Sequence, residues 1–165
     1  MADCSTTNRQ KNTYDLAVIG AGSAGFSAAI TAAEGGKRVA LIGHGTIGGT
    51  CVNVGCVPSK TMIRAAEALH GAQSAHRFPG LHGEAHVADW AAHVTAKDDL
   101  VSTLRKKKYA DLLPAYEDVT YIDEGHARLV PGGVEVAGRK FTAPRVIVAT
   151  GGRPAVPDIP GIQDA

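Results

Sequence analysis

Apolar residues along this chain fall into short runs punctuated by glycine, and their order predicts an alternating α/β fold. Asp15-Leu16-Ala17-Val18-Ile19 ends at Gly20 and reads as a parallel strand buried on both faces. Ser23 to about Glu34 is alanine-rich and closes at Gly35-Gly36, the pattern of a helix and its stop. Arg38-Val39-Ala40-Leu41-Ile42 is a second buried strand. Strand, glycine turn, helix, strand is a βαβ unit with a right-handed crossover.

Further on, Lys60 to Leu69 predicts a helix stopping near Gly71, and His76 to Gly83 predicts a loop, broken by Pro79, Gly80 and Gly83. Val87, Trp90, Val94, Val101 and Leu104 recur at spacings of three, four, seven and three, which predicts a long amphipathic helix ending before Pro114. Val119 to Ile122, Ala127 to Val130, Gly133 to Ala137 and Lys140 to Thr142 alternate as a small antiparallel excursion would. Arg145 to Ala149 is a last buried strand running into Thr150-Gly151-Gly152, and Pro154, Pro157, Pro160 and Gly161 follow as a linker. Residues 1–13 are polar and aperiodic, which predicts a disordered tail. No internal repeat is visible.

With 165 residues, 44% apolar and 20% charged, the chain is long enough for one globular domain with a core. A net charge of +1 argues against nucleic acid as a partner. No apolar run approaches the roughly 20 residues that span a bilayer. Met1 to Asn12 lacks the apolar core of a secretory signal, so a cytoplasmic location is expected. Three cysteines are too few for a disulfide scaffold, and in a reducing compartment a close pair points to catalysis or metal binding. His82, His86 and His93 straddle a loop and a helix start without clustered carboxylates, and read as solvent-exposed. Arg105 to Lys108, four basic residues at a helix end, read as a solvated face suited to the helix dipole.

The chemistry concentrates in two motifs. Gly20-Ala21-Gly22-Ser23-Ala24-Gly25 is G-x-G-x-x-G between a strand and a helix. There Gly20 permits the tight turn, Gly22 lets backbone approach a pyrophosphate, and Gly25 allows helix–strand packing. Such folds usually place an acid about 20 residues on to bond a ribose hydroxyl. Here the end of the second strand is Gly43, followed by His44 and Gly45, so no carboxylate is available.

The second motif is Gly48-Gly49-Thr50-Cys51-Val52-Asn53-Val54-Gly55-Cys56-Val57-Pro58-Ser59-Lys60. In a straight helix residues five apart are separated by about 7.5 Å of rise, beyond the roughly 7 Å that a disulfide's Cα atoms span. A bonded pair therefore requires an irregular helix start, for which Gly55 supplies freedom and Pro58 a missing donor. A helix N-terminus lowers a thiol pKa, which favours thiolate. Three readings of the pair stand together: a redox disulfide coupled to a bound nucleotide cofactor, a two-thiolate soft-metal site, and buried packing cysteines. The upstream glycine fingerprint favours the first.

Gly48 to Lys60 resembles the active-site segment of the pyridine nucleotide–disulfide oxidoreductases, the family of glutathione reductase and lipoamide dehydrogenase. The similarity runs over roughly residues 14–162. Softer matches resemble the mercury-reducing branch: Gly45-Thr46-Ile47-Gly48-Gly49 into Cys51, Met62 to Ala66, Leu104-Arg105 with Lys108-Tyr109, and Ala149-Thr150-Gly151 with Pro154 to Pro157 and Ile159-Pro160-Gly161.

The resemblance implies a Rossmann-like FAD-binding domain over residues 14–152, incomplete at its C-terminus, with 153–165 leading to a nicotinamide-binding domain. It implies an FAD-dependent enzyme, homodimeric when complete, that uses NADPH to reduce Hg(II), free or thiol-bound, to elemental mercury. Gly20, Gly22 and Gly25 would hold the FAD pyrophosphate, Gly45 and Thr50 would line the same site, and Thr150 and Gly151 would also bind the cofactor. Ala127 would offer backbone to the adenine. Cys51 and Cys56 would be the redox pair and the mercury ligands, with Cys56 nearer the flavin. Lys60 would stand by the flavin ring, and Tyr109 would lie by the metal or pack. The NADPH site, a second FAD segment and a dimer domain would follow residue 165, so the chain reads as an N-terminal fragment. Cys4 has no partner that would make a metal-binding module. The same thiols would also serve another flavin disulfide reductase acting on a thiol substrate, or a non-enzymatic soft-metal module.

Overall fold

A computed structural model describes residues 12–162; most of the expected N-terminal tail, with Cys4, lies outside the described residues. Thr13 already forms a bridge to Thr142, and the Thr142 N–H donates to the Asn12 carbonyl at 2.8 Å.

Strand β1 (Leu16–Ile19), helix α1 (Ser23–Glu34) and strand β2 (Val39–Ile42) form the expected βαβ unit. The short helix α2 (Gly49–Asn53) and the longer α3 (Cys56–Gln73) follow, then α4 (Trp90–Arg105). Strands β3 (Val119–Ile122), β4 (Ala127–Val130), β5 (Gly133–Val136), β6 (Arg139–Thr142) and β7 (Val146–Val148) complete the chain. A parallel sheet runs β3-β2-β1-β7, and a separate antiparallel sheet runs β4-β5-β6.

Pleat parity divides the core. Ala17, Ala40, Ile42 and Ile122 face the antiparallel sheet and pack with Val134, Val136, Phe141 and Tyr14. Leu16, Val18, Val39 and Leu41 face the helices and pack with Phe26, Ala29, Val52 and Tyr109. Three layers result, and β1 and β2 are buried on both faces, which is why they read as continuous apolar runs. Fully burying a side chain such as Leu41 contributes about 1.5–3 kcal/mol.

Three expectations are corrected. Val119–Ile122 does not join the antiparallel excursion; it pairs parallel with β2, Val39 opposite Val119. As an edge strand it is only partly buried, with Val119 and Tyr121 toward the helices and Ile122 toward the antiparallel sheet, and its partner lies far back in the chain. The helix expected to stop near Gly71 runs through it to Gln73: Gly71 meets nothing that a Cβ would strike, and the cap is Ser74, whose N–H donates to the His70 carbonyl at 2.9 Å.

The amphipathic helix starts after Val87, at an N-cap Asp89 whose carboxylate accepts from the Ala92 N–H at 3.0 Å. Trp90 is 58% exposed, and of this helix only Val101 is buried. Its end widens into a π turn, Lys106–Ala110. The extra residue shifts the helix phase, so that Tyr109 rather than Lys108 turns into the core. No helix of the described residues is long and apolar enough to cross a membrane.

Candidate functional site

At the C-terminal ends of β1 and β2 lies a cleft of ≈ 550 Å³. Gly20, Gly22, Gly45, Thr50, Ala127, Thr150 and Gly151 all line it, as expected of a cofactor site, and so does Cys51. Gly25 sits beneath it. A Cβ there would lie 1.8 Å from the Gly20 carbonyl oxygen, and one on Gly20 would lie 2.1 Å from that of Ala149. The protein's own packing explains both glycines.

Gly22 is different: a Cβ there would meet only Gly49 Cα, at an ordinary 3.5 Å. The space beside it faces the cleft. Helix α1 has no side-chain cap and no acid in its first turn, so its leading N–H groups are free to bind an anion. An open glycine beside uncapped helix donors is the cradle a dinucleotide pyrophosphate needs, and the residues present fit an FAD there.

The cysteine segment departs from a straight helix as the spacing requires. Helix α2 buries Val52 and leaves Cys51 exposed on the cleft side. The chain breaks at Val54 and Gly55, and α3 begins at Cys56. A Cβ on Gly55 would stand 2.9 Å from the Thr50 carbonyl oxygen and 3.3 Å from Cys51 Cα, so only glycine lets the turn fold back this tightly. Both cysteines are free thiols and exposed, which removes the buried-packing reading.

The expected lowering of thiol pKa fails at Cys51. The Cys51 thiol hydrogen-bonds Cys56 and is pushed up, chiefly by that bond, while the Lys108 charge pulls weakly the other way. The physical reason is its neighbour: the bond to Cys56, partial desolvation and the Cys56 charge each favour the protonated Cys51 thiol and outweigh the helix start.

Lys60 is exposed one helical turn beyond Cys56, on the same face of α3; neither lines the cleft. Tyr109 is buried: its hydroxyl shares a hydrogen bond of 3.0 Å with Ser23 Oγ, its ring meets Phe26 edge-on at 5.0 Å, and it covers Gly48. It thereby braces the first turn of α1 and the loop into α2.

Several groups carry no signal in the sequence. Asn53 donates to the carbonyls of Ile47 and Gly49 at 3.0 and 2.9 Å and accepts from Arg105 Nη1 at 3.0 Å. Arg105 is therefore a half-buried tie from α4 to the cysteine helix, not part of a solvated face. The rings of His44 and His126 meet at a tilt, centroids 4.0 Å apart, at the cleft mouth. His82 and His86 are exposed as expected, but His93 is half-buried and its Nε2 has no hydrogen-bond partner among the described residues.

Fold and site together define a dinucleotide-binding α/β domain that presents a dithiol beside its cofactor cleft. The chain belongs to the pyridine nucleotide-disulphide oxidoreductase family, whose model matches residues 14–165. It is 46% identical to a mercuric reductase of Lysinibacillus sphaericus over 93% of this chain and 28% of that protein. It is 44% identical to a mercuric reductase of Staphylococcus aureus, over 92% of this chain and 27% of the relative. Among solved structures it resembles the HOCl-induced flavoprotein disulfide reductase RclA from Escherichia coli, with TM-score 0.71 and 30% identity over 91% of this chain and 31% of that one. The chain thus spans less than a third of the length of these relatives. The family implies FAD as cofactor.

Proposed function

We propose that this chain is the FAD-binding, dithiol-bearing part of an enzyme that reduces Hg(II) to elemental mercury with electrons from NADPH. The observation that carries the reading is a free, exposed cysteine pair, of which Cys51 lines the dinucleotide cleft. Two neighbouring soft thiolates suit Hg(II). A flavin held in this cleft would supply the two-electron redox chemistry that links a nicotinamide hydride to the thiols. Reduction of Hg(II) to Hg(0) takes the two electrons of one NADPH hydride, with NADP⁺ and one proton released.

Cys56 is assigned to the flavin side because the resemblance of Gly48 to Lys60 to the family's active-site segment puts its second cysteine there. Cys51, exposed on α2, is assigned to the exchanging side on the same resemblance. Gly22 and the leading N–H groups of α1 would hold the pyrophosphate, and Lys60, on the same face of α3 as Cys56, would supply positive charge on the dithiol side. Tyr109 is assigned a bracing role through Ser23. The homologous mercuric reductases favour mercury as substrate, and the likeness to a flavoprotein disulfide reductase supports a thiol-directed reaction as the second reading.

The test is NADPH oxidation by the complete FAD-loaded protein, with Hg(II) in thiol buffer or with a small disulfide as acceptor. Hg(II)-dependent turnover that is lost in Cys51→Ala and Cys56→Ala is expected. Turnover with the disulfide and none with Hg(II) would replace this reading with the second.

A further inference from the structure

Dinucleotide folds of this kind place a carboxylate at the end of the second strand to bond the adenosine ribose, and here something else stands in that place. Gly43 follows β2 directly, is buried, and its N–H donates to the Ile122 carbonyl at 2.8 Å. Leu41 lies beside Tyr121 in the β2–β3 register, so the pleat puts Gly43 and Tyr121 on one face of the sheet.

A Cβ on Gly43 would lie 2.5 Å from the Tyr121 hydroxyl oxygen, 2.8 Å from its Cε2, and 3.0 Å from the Ala21 methyl. Gly43 is not among the glycines with positive φ, so its bare Cα is a matter of space and not of backbone conformation. The phenol fills the volume that a second-strand acid would need. Both residues line the cleft, and the Tyr121 hydroxyl has no hydrogen-bond partner among the described residues.

We propose that Tyr121 recognises the ribose in this cleft: its hydroxyl takes the place of the missing acid and hydrogen-bonds the adenosine 2′-hydroxyl of the bound FAD, and position 43 is glycine to admit it. The inference rests on the FAD reading above. Burial, and then the Asp123 charge, push the Tyr121 phenol up from its ordinary range, so it stays protonated at neutral pH and available as a donor. His44 and His126, in tilted ring contact, are both exposed at the cleft mouth. Recognition by a neutral phenol leaves the cleft without the fixed negative charge that an acid would bring.

FAD dissociation constants, read by flavin fluorescence on the holoprotein, test this with Tyr121→Phe, which keeps the ring and removes only the hydroxyl. Each protein is titrated with FAD and with its adenosine 2′-deoxy analogue. In the wild type the analogue should bind roughly three- to tenfold more weakly, as for one lost hydrogen bond. Tyr121→Phe should lose a similar factor for FAD and bind both cofactors alike.

Gly43→Glu should bind FAD more weakly than the wild type, and Gly43→Glu with Tyr121→Ala should recover the affinity, because the alanine vacates the carboxylate's place. Equal FAD affinity in wild type and Tyr121→Phe, a Phe variant that still discriminates the analogue, or tighter binding by Gly43→Glu alone would each overturn the proposal. A folded wild-type protein that takes up no FAD would instead overturn the function proposed above, since that outcome does not depend on Tyr121.

Discussion

Asn53 ties the cysteine helix to the rest of the domain, and its replacement gives the sharpest test of how the dithiol is held. Asn53→Ala removes two amide donors, to the Ile47 and Gly49 carbonyls, and the acceptor for Arg105. Each neutral bond is worth about 1 kcal/mol net and a charged one about 1.5–3 kcal/mol. The Arg105 bond belongs at the low end, because a half-buried guanidinium finds water when its partner goes. Alanine's better helix propensity returns about 0.5 kcal/mol. The expected loss is about 3 kcal/mol.

Arg105→Ala removes one bond of the three and should cost about 1–1.5 kcal/mol. Asn53→Asp keeps the acceptor for Arg105 but turns a carboxylate toward two carbonyl oxygens, so it should be no better than alanine despite the stronger ion pair. Urea unfolding at neutral pH measures all three, and alkylation of Cys51 by a neutral reagent reports whether α2 has loosened. If Asn53→Ala lies within about 0.5 kcal/mol of wild type, the range of an ordinary surface substitution, the network does not hold the helix. If Arg105→Ala costs as much as Asn53→Ala, the interhelical tie rather than the local amide bonds governs α2.

Two further outcomes follow from the geometry. The Cys51 thiol is held above its ordinary pKa by Cys56, so alkylation of Cys51 should gain its thiolate at lower pH in Cys56→Ala, while Lys108→Met, which removes the opposing charge, should move the profile to higher pH; an unmoved profile in Cys56→Ala would refute the thiol–thiol bond. Gly25→Ala drives a methyl to 1.8 Å from the Gly20 carbonyl oxygen, and should destabilise the fold by about 1–3 kcal/mol or more, with FAD affinity falling alongside; a stable variant with normal FAD binding would show that the turn can open at no cost.

Much of the site is written locally. The turn at Gly20 to Gly25 and the broken helix between Cys51 and Cys56 depend on residues a few positions apart, so glycine spacing and thiol geometry predict both. The harder elements depend on partners elsewhere. Val119–Ile122 alternates in the same way whether its neighbour is the strand that follows or one 80 residues back, and register with β2 decided the matter. The basic run at Arg105 reads as a solvated face until the side chain 52 residues away is known.

By itself the sequence determined the βαβ cradle, the continuous apolar strands of a sheet covered on both faces, and the dithiol beside a helix start. These follow from hydrophobic period and from glycine spacing, which act within one or two turns of chain. Only the tertiary structure decided that Tyr109 braces Ser23 across 86 residues and that Tyr121 fills the volume left by Gly43. The first depends on a π turn that shifts one side chain into the core, the second on strand register that sets two distant residues on one face. Neither is a property of local spacing, because each is settled by which surfaces pack together when the whole sheet forms.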